Sequence, residues 1–225
     1  MSDIIREVDE ELRRERMMKL WDRYGIYVVA VAALVVAAVG GWRVYEWYSA
    51  REAAKSSVQF EAAIKLANEG RRFESEAAFN QLAKEGTSGY RMLARFRAAA
   101  EAAKSDRQAG VAAYDALAAD TSLDQVFRDF ARVQSGLLLV DSASVQEITS
   151  RMEPLMVPTS PFRNSARELI GLAHYRAGER AAAAKQFAEI VADPEAPPSM
   201  RNRAQVMSAL LAGELGIAAP ATATQ

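Results

Sequence analysis

YGIYVVAVAALVVAAVGGW, at residues 24–42, is the stretch that decides the architecture of this chain. No charged residue interrupts these nineteen positions, and Arg23 and Arg43 flank them directly. As an α-helix the stretch would be ~28 Å long, which is close to the ~30 Å hydrocarbon thickness of a bilayer. The sequence therefore predicts a single transmembrane helix, which we place at residues 24–47.

Aromatic residues mark both ends of this apolar stretch. All three tryptophans and four of the seven tyrosines of the protein lie within six residues of one end or the other. Amphipathic rings collect at the level of the lipid headgroups, so the pattern indicates two membrane interfaces. The residues predicted to anchor the helix are Trp21, Tyr24, Tyr27, Gly41, Trp42, Arg43 and Trp47.

A buried core helix and a cleaved signal peptide are the alternatives to a membrane anchor. A soluble helix of this length would show a polar stripe, and the stretch has none. Twenty-three residues precede it, seven of them acidic, and GGWRVYEWY follows it where a signal peptide would have a small-x-small cleavage site. Six Lys or Arg residues precede the stretch, and the comparable length of chain after it holds three, Arg43, Arg51 and Lys55, so the positive-inside rule places the N-terminus in the cytoplasm.

The remaining chain divides around this helix. Residues 1–23 are predicted to form a charged cytoplasmic helix, which is either solvated without a partner, or a docking helix, or a basic collar that touches anionic lipid. Residues 48–216 predict one domain on the far side of the membrane. From Tyr48 onward 21 Lys and Arg face 21 Asp and Glu, a balance that gives no nucleic-acid signature. Residues 217–225 are too small and polar to pack, and we expect them to be disordered.

The far-side domain shows a helical repeat. Large side chains recur in the middle of every second predicted helix, at intervals of 35, 34 and 39 residues: Phe79, Tyr114, Ile148 and Phe187. In three of these four pairs a small residue stands sixteen positions earlier, namely Ala63, Ala98 and Gly171. The spacing is close to the roughly 34-residue period of tetratricopeptide helix pairs. A small residue at that place lets the two helices of a pair close against each other.

The predicted pairs are 53–69 with 73–85, 88–104 with 107–119, 123–140 with 143–153, and 162–177 with 179–192. The third pair is degenerate, because it lacks the aromatic residue and is broken by prolines. A last helix at about 199–213 would cover the apolar edge that a solenoid leaves at its end. We therefore predict an all-α fold, with a single transmembrane helix followed by a tetratricopeptide-like solenoid of about four helix pairs and a capping helix.

The sequence contains no arrangement of residues that is typical of a catalytic site. The chain has no cysteine, which excludes disulfides, thiol catalysis and thiolate metal sites. His174 is the one histidine, and without a second histidine or a thiolate we expect it to be a packing or groove residue. No glycine-rich phosphate loop is present. We therefore predict a non-enzyme that needs no cofactor and no metal.

The predicted solenoid would bind proteins through its concave surface. In such solenoids the first helix of each pair lines that surface, and peptides or proteins bind to it. For each candidate, packing between repeats is an equally good explanation. The candidates that the repeat register gives are Phe60, Ile64, Met92, Arg95, Glu168 and Tyr175.

The order of these features resembles one known family. A charged segment leads into one span closed by Gly41-Trp42-Arg43, and Ser49-Ala50-Arg51 opens an Ala-rich helix that precedes the degenerate pairs. GYRMLARFRAAA at 89–100, FARVQSGLLL at 130–139 and the closing pair at 168–192 are similar in kind. The chain resembles the bacterial YfgM-like family of ancillary SecYEG translocon subunits.

The resemblance implies an inner-membrane protein with its repeat domain in the periplasm. It would sit beside the protein-conducting channel and associate with periplasmic chaperones, including a membrane-anchored isomerase-like one. The resemblance implies no catalytic residues. The alternative function is an envelope scaffold for cell division or outer-membrane assembly, which would use the same surface for another partner.

Overall fold

The computed structural model describes the backbone from Ser2 to Gly216, and the side chains of Arg14 and of residues 17–216 except Val28. The predicted disordered tail at 217–225, and most side chains of the predicted cytoplasmic helix, lie outside the described residues. The described part contains nine α-helices, one short 3-10 helix and no strand, which confirms the all-α prediction. The helices are α1 (Ser2–Asn68), α2 (Arg72–Glu85), α3 (Ser88–Ser105), α4 (Arg107–Ala119), α5 (Gln125–Leu139), α6 (Val145–Met152), α7 (Arg163–Arg176), α8 (Arg180–Ala192) and α9 (Pro198–Leu215).

The chain forms two compact units, Met1–Lys55 and Ser56–Gln225. The first unit belongs to α1, which has no break at the boundaries predicted at residues 23 and 47. In the described residues, one helix is long and apolar enough to cross a membrane, and no residue in its most apolar window is buried. Leu34 and Val36 are 70% and 71% exposed. This exposure is unlike that of the core helix of a soluble protein, which is mostly buried.

The predicted anchor residues lie on the exposed surface of this unit. Trp42 is 69% exposed and Trp47 is 63% exposed, while the Arg43 guanidinium pairs with Glu46 at 3.1 Å. Arginines stack on two of the rings, with Arg23 5.9 Å from the ring centre of Tyr24 and Arg51 5.6 Å from that of Trp47. Rings that carry a cation on one face suit a boundary between lipid and water.

The second unit is built of helix pairs. The end of α1 pairs with α2, and α3 with α4, α5 with α6 and α7 with α8 follow, with α9 last. Apart from the start of α1, the helix ends lie within two residues of the predicted ones. Gly70 (φ 78°) and Gly178 (φ 81°) make the turns inside the first and last pairs, where a left-handed conformation ends the first helix of the pair.

The alternation of small and large residues builds the core of this unit. Phe79 and Ile148 are fully buried, Phe187 is 1% exposed and Tyr114 is 6% exposed. Ala63, sixteen positions before Phe79, is also fully buried. The large residues that the repeat predicted are therefore buried in the core of the domain.

The third pair departs from the others. Its second helix, α6, is only eight residues long and continues as a 3-10 helix, Glu153–Leu155, with a proline at its start. The small residue of this pair, whose position the sixteen-residue spacing did not predict, is Gly136 in α5. A Cβ on Gly136 would lie 2.8 Å from Met152 Cε and 3.0 Å from Leu169 Cδ1. Gly136 stands twelve residues before Ile148, whereas Gly171 of the last pair stands sixteen residues before Phe187, whose ring would lie 3.1 Å from a Cβ on it.

Candidate protein-binding surface

Phe60 and Ile64, the first two predicted groove residues, pack inside the first repeat. Both are half-buried against the cluster of Ala63, Phe79 and Leu82. The Phe60 ring centre lies 5.4 Å from that of Phe79 and 5.8 Å from that of Tyr90. The two residues therefore serve the packing between helices, as the alternative explanation expected.

Glu168 and Tyr175, the last two predicted groove residues, connect α7 to its neighbours. The Glu168 carboxylate accepts two hydrogen bonds from Arg203 of α9, at 2.8 and 2.9 Å. The guanidinium of Arg180 lies 4.3 Å from the ring centre of Tyr175, and the Tyr175 hydroxyl lies 3.4 Å from Glu214. These side chains hold α8 and α9 in place.

Met92 and Arg95 form a third group, on α3. Met92 is half-buried, and the Arg95 guanidinium forms an ion pair with Asp120 at 2.7 Å. Hydrogen bonds from Ser122 and Arg95 lower the pKa of Asp120 to about 2. The six predicted residues thus make three separate sets of contacts, on α1, α3 and α7, and a groove that they share stays a prediction.

A row of phenylalanines that the sequence analysis did not single out does form a continuous surface. We call it the aromatic strip, and it consists of Phe96 on α3, Phe127 and Phe130 on α5, and Phe162 directly before α7. The ring centres of Phe96 and Phe130 are 5.5 Å apart, and those of Phe130 and Phe162 are 6.3 Å apart. Phe127 joins the row at 6.5 Å from Phe96.

Part of the aromatic strip is accessible to a partner. Phe130 is 37% exposed, and the other three rings are half-buried, with Phe96 and Phe162 packed in part against core clusters. Leu93, one helical turn before Phe96, is 45% exposed, and Val126, one turn before Phe130, is 46% exposed. Contiguous exposed apolar surface that is rich in aromatic rings is typical of protein-interaction sites.

The sequence contained a signal for this strip. Phe60, Phe96, Phe130 and Phe162 recur at intervals of 36, 34 and 32 residues, so the first helices carry a phenylalanine repeat of their own. The second-helix repeat was easier to find because in three pairs a small residue stands sixteen positions before its large residue. A search for periodic aromatic residues in both helices of each pair would have found the strip.

Two clefts in this unit are occupied by ion pairs of the fold itself. The larger, about 420 Å³, contains Arg163, Arg167 and Asp193. Arg163 donates to both carboxylate oxygens of Asp193 at 2.8 and 2.9 Å, and Asn164 donates to the same carboxylate at 3.0 Å. The hydrogen bonds from Arg163 hold the pKa of Asp193 well below its usual range. This cluster ties the start of α7 to the turn after α8.

The smaller cleft, about 270 Å³, is lined in part by Asp115 and Arg151. Arg151 of α6 donates to the carboxylate oxygens of Asp115 in α4 at 2.7 and 2.9 Å. The hydroxyl of Ser135, which is fully buried, donates to the same carboxylate at 2.7 Å. These contacts join α4, α5 and α6 across the degenerate third pair.

His174 lies at the end of α7, away from both clefts. Its side chain is 19% exposed, and Nδ1 lies 2.6 Å from a carboxylate oxygen of Glu179. The contact closes the turn between α7 and α8. No group of three His, Asp or Glu residues that could hold a metal ion occurs among the described residues.

The comparisons with known proteins agree with this fold. A family model described as a tetratricopeptide repeat-like domain matches residues 18–206. The match covers the apolar stretch as well as the helix pairs. No curated protein and no solved structure matches the chain.

Proposed function

Because this chain belongs to the tetratricopeptide repeat-like domain family, we propose that it is a single-pass membrane protein whose repeat domain binds other proteins through the aromatic strip. Domains of this family are typically non-catalytic protein-interaction modules, which implies protein partners in general. The partner at the strip is an apolar segment of a polypeptide chain. We propose no activity on a small-molecule substrate.

The single observation that carries the proposal is the spacing of the partly exposed rings along the strip. Successive ring centres are 5.5 and 6.3 Å apart, close to the ~5.4 Å pitch of an α-helix. A bound helix with apolar residues at i, i+3 or i+4, and i+7 would place one side chain near each ring. Aromatic side chains supply large apolar area at a contact, so these rings would contribute most of the binding energy.

The anchor and its orientation are the second part of the proposal. The exposed apolar helix and its aromatic ends support a membrane span at residues 24–47, with Trp21, Tyr24 and Tyr27 at one interface and Gly41 to Arg43 and Trp47 at the other. The excess of Lys and Arg before the span supports a cytoplasmic segment at 1–23 and a periplasmic domain at 48–216. The protein would then lie in the inner membrane.

The partners that we propose follow from the resemblance to the YfgM-like family. In this role the protein is an accessory subunit of the SecYEG translocon, and its periplasmic domain links the channel to periplasmic chaperones, including a membrane-anchored one. The apolar partner segment would then belong to a channel subunit, a chaperone or a secreted chain. A scaffold for cell division or outer-membrane assembly would use the same anchor and the same strip, so partner identity separates the two roles.

Site-specific photo-crosslinking in cells tests this proposal. A photoreactive residue at Leu93, beside the strip, should crosslink to channel subunits, secretory chains or periplasmic chaperones, identified by mass spectrometry. Phe130→Asp in the same chain should remove these crosslinks. Phe73→Asp is the matched control, because Phe73 is 80% exposed on α2 and should leave the crosslinks unchanged.

The other outcomes are equally informative. Cytoplasmic partners would show that the orientation is inverted. Division or outer-membrane assembly proteins would give the function to the scaffold role. Crosslinks at Leu93 that persist in Phe130→Asp would show that the aromatic strip is not the binding surface.

A further inference from the structure

Three arginines on α3 differ in what their side chains contact. The Arg95 guanidinium pairs with Asp120 at 2.7 Å. Arg91 and Arg97 are exposed, and no carboxylate oxygen of the described residues lies within 4.0 Å of the side-chain nitrogens of either one. Arg97 directly follows Phe96 of the aromatic strip. In the described part of the chain, the strip therefore has an unpaired positive charge beside it.

The order of residues around α3 places Arg97 beyond the end of the aromatic strip. Successive residues of an α-helix lie ~100° apart around its axis. Ala99 packs with Ala131 of α5 in one core cluster, and on α3 it lies ~60° from Phe96. Arg97 lies ~100° from Phe96 in the opposite direction. It is therefore on the side of α3 that is turned away from α5 and from Phe130 of the strip.

Ring contacts show what borders this side of α3. Tyr90 stands two turns before Arg97, and its ring centre lies 5.8 Å from that of Phe60 on α1. The ring centre of Tyr114 lies 6.3 Å from that of Phe96. Burial raises the pKa of the Tyr114 hydroxyl, and the positive charge of Arg97 opposes that rise. The guanidinium therefore lies close enough to the aromatic residues for its charge to act on them.

The acidic side chains of the neighbouring helix do not neutralise Arg97. Asp129 of α5 is 7% exposed and pairs with Arg132 at 2.8 Å. Asp124 is exposed, but it stands directly before α5, one turn before Phe127, and forms no ion pair with Arg97. A carboxylate that pairs with Arg97 therefore has to come from a partner.

We propose that the helix bound at the aromatic strip carries an acidic side chain one turn beyond the apolar residue that contacts Phe96, and that this carboxylate pairs with Arg97. This pairing rests on the proposed function, since it requires a helix bound at the strip. The bound helix would shield the guanidinium partly from water, so an ion pair is stronger there than on an open surface. A basic side chain in the same place would be repelled, so Arg97 selects against basic partners.

Two synthetic peptides test this pairing on the full chain in phosphatidylcholine nanodiscs, whose lipid carries no net charge. Each peptide is a fluorescent, C-terminally amidated helix with three leucines, four and three positions apart. One peptide has a glutamate one turn before the first leucine and one turn after the last, and the other has lysines there. Fluorescence anisotropy should show that the glutamate peptide binds about threefold to tenfold more tightly. The preference should shrink in about 0.5 M salt, because the ion pair is screened.

Arg97→Glu should reverse this preference, and Arg97→Gln should abolish it. Arg91→Glu is the matched control, because Arg91 is exposed on the same helix and lies ~120° from Arg97 around the axis. It should keep the preference of the natural chain. The circular dichroism spectrum of all three variants should be unchanged.

Phe130→Asp separates this pairing from the proposed function. It should weaken the binding of both peptides alike, by roughly tenfold or more. If it does so, equal affinities of the natural chain for the two peptides, or a preference that Arg97→Glu leaves unchanged, would overturn the pairing alone. If neither peptide binds the natural chain, or if Phe130→Asp weakens neither, the proposed binding at the strip fails and the pairing fails with it.

Discussion

Gly110 of α4 lies directly against Ala103 of α3: a Cβ on Gly110 would be 2.3 Å from the Ala103 Cβ and 2.6 Å from its Cα. No side chain fits between the two helices at this point. The neighbouring atoms belong partly to the backbone of α3, so relief would require the helices to move apart. The second pair is therefore closed by a contact that only glycine permits.

We expect Gly110→Ala to lower the free energy of unfolding of the repeat domain by about 2 kcal/mol, because the added methyl group forces α3 and α4 apart. Thermal unfolding of the full chain in detergent, followed by circular dichroism, measures the change. Gly89→Ala is the control, because no atom lies within 4 Å of its Cβ position. It should leave the domain equally stable or stabilise it by up to ~1 kcal/mol. Equal melting temperatures for the two variants would contradict the packing described here.

Phe79→Ala should destabilise the domain by about 3–5 kcal/mol, since it leaves a cavity at the centre of the first pair. Phe73 in the same helix provides a matched control, because it is 80% exposed while Phe79 is fully buried. Phe73→Ala should change the free energy of unfolding by less than about 0.5 kcal/mol. Urea unfolding of both variants compares them directly, and similar losses would show that the repeat register is wrong.

The Asp193 cluster predicts a dependence of stability on pH. Its pKa is lowered in the folded protein, chiefly by the hydrogen bonds from Arg163. The charged carboxylate therefore contributes its full stabilisation above the unfolded-state pKa of about 3.9. That contribution is lost as the pH falls through the lower folded-state pKa. Asp193→Asn should lower the melting temperature at pH 7, and its difference from the natural protein should shrink below about pH 4.

Glu195→Gln is the control for this cluster. Glu195 contacts the same Arg163 at 2.8 Å, but its side chain is 75% exposed where that of Asp193 is 7% exposed. Its replacement should change the melting temperature much less at every pH, because exposed ion pairs contribute little. A larger effect of Glu195→Gln than of Asp193→Asn would contradict the assignment.

The proposed membrane span predicts the effect of two charges at its centre. Leu34→Arg combined with Val36→Arg should move the protein from the membrane fraction to the soluble fraction or to degradation, since each arginine costs ~2.5–3.5 kcal/mol at the centre of a span. Extraction of membranes at alkaline pH gives the measurement. Val58→Arg with Ala62→Arg, on the exposed side of the second unit, should leave the protein in the membrane.

His174→Ala should leave the crosslinks of the repeat domain and its folding unchanged. The imidazole makes a contact with Glu179 at a turn, and no second histidine exists to complete a catalytic group. Complete loss of function in cells, with the circular dichroism spectrum preserved, would instead indicate a catalytic role for this residue.

The sequence alone was sufficient to predict the all-α class, the apolar helix and the helix pairs. The nineteen uncharged residues have no polar stripe, and their composition by itself excludes most soluble folds. Phe79 and Phe187, with a small residue sixteen positions earlier in each case, predicted the core because the spacing is a property of one helix pair. Both patterns lie within one helix or one helix pair, so the spacing of residues along the chain is enough to recognise them.

The tertiary structure decided which residues of the first helices remain on the open surface. Phe60 and Tyr175 have the spacing of groove residues, yet each packs against neighbouring helices, while Phe130 forms the strip with Phe96 and Phe162. Which side of a first helix remains open depends on how the pairs rotate against one another. That rotation is set by close contacts between pairs, such as that of Gly136 with Leu169, and no pattern within one helix specifies it.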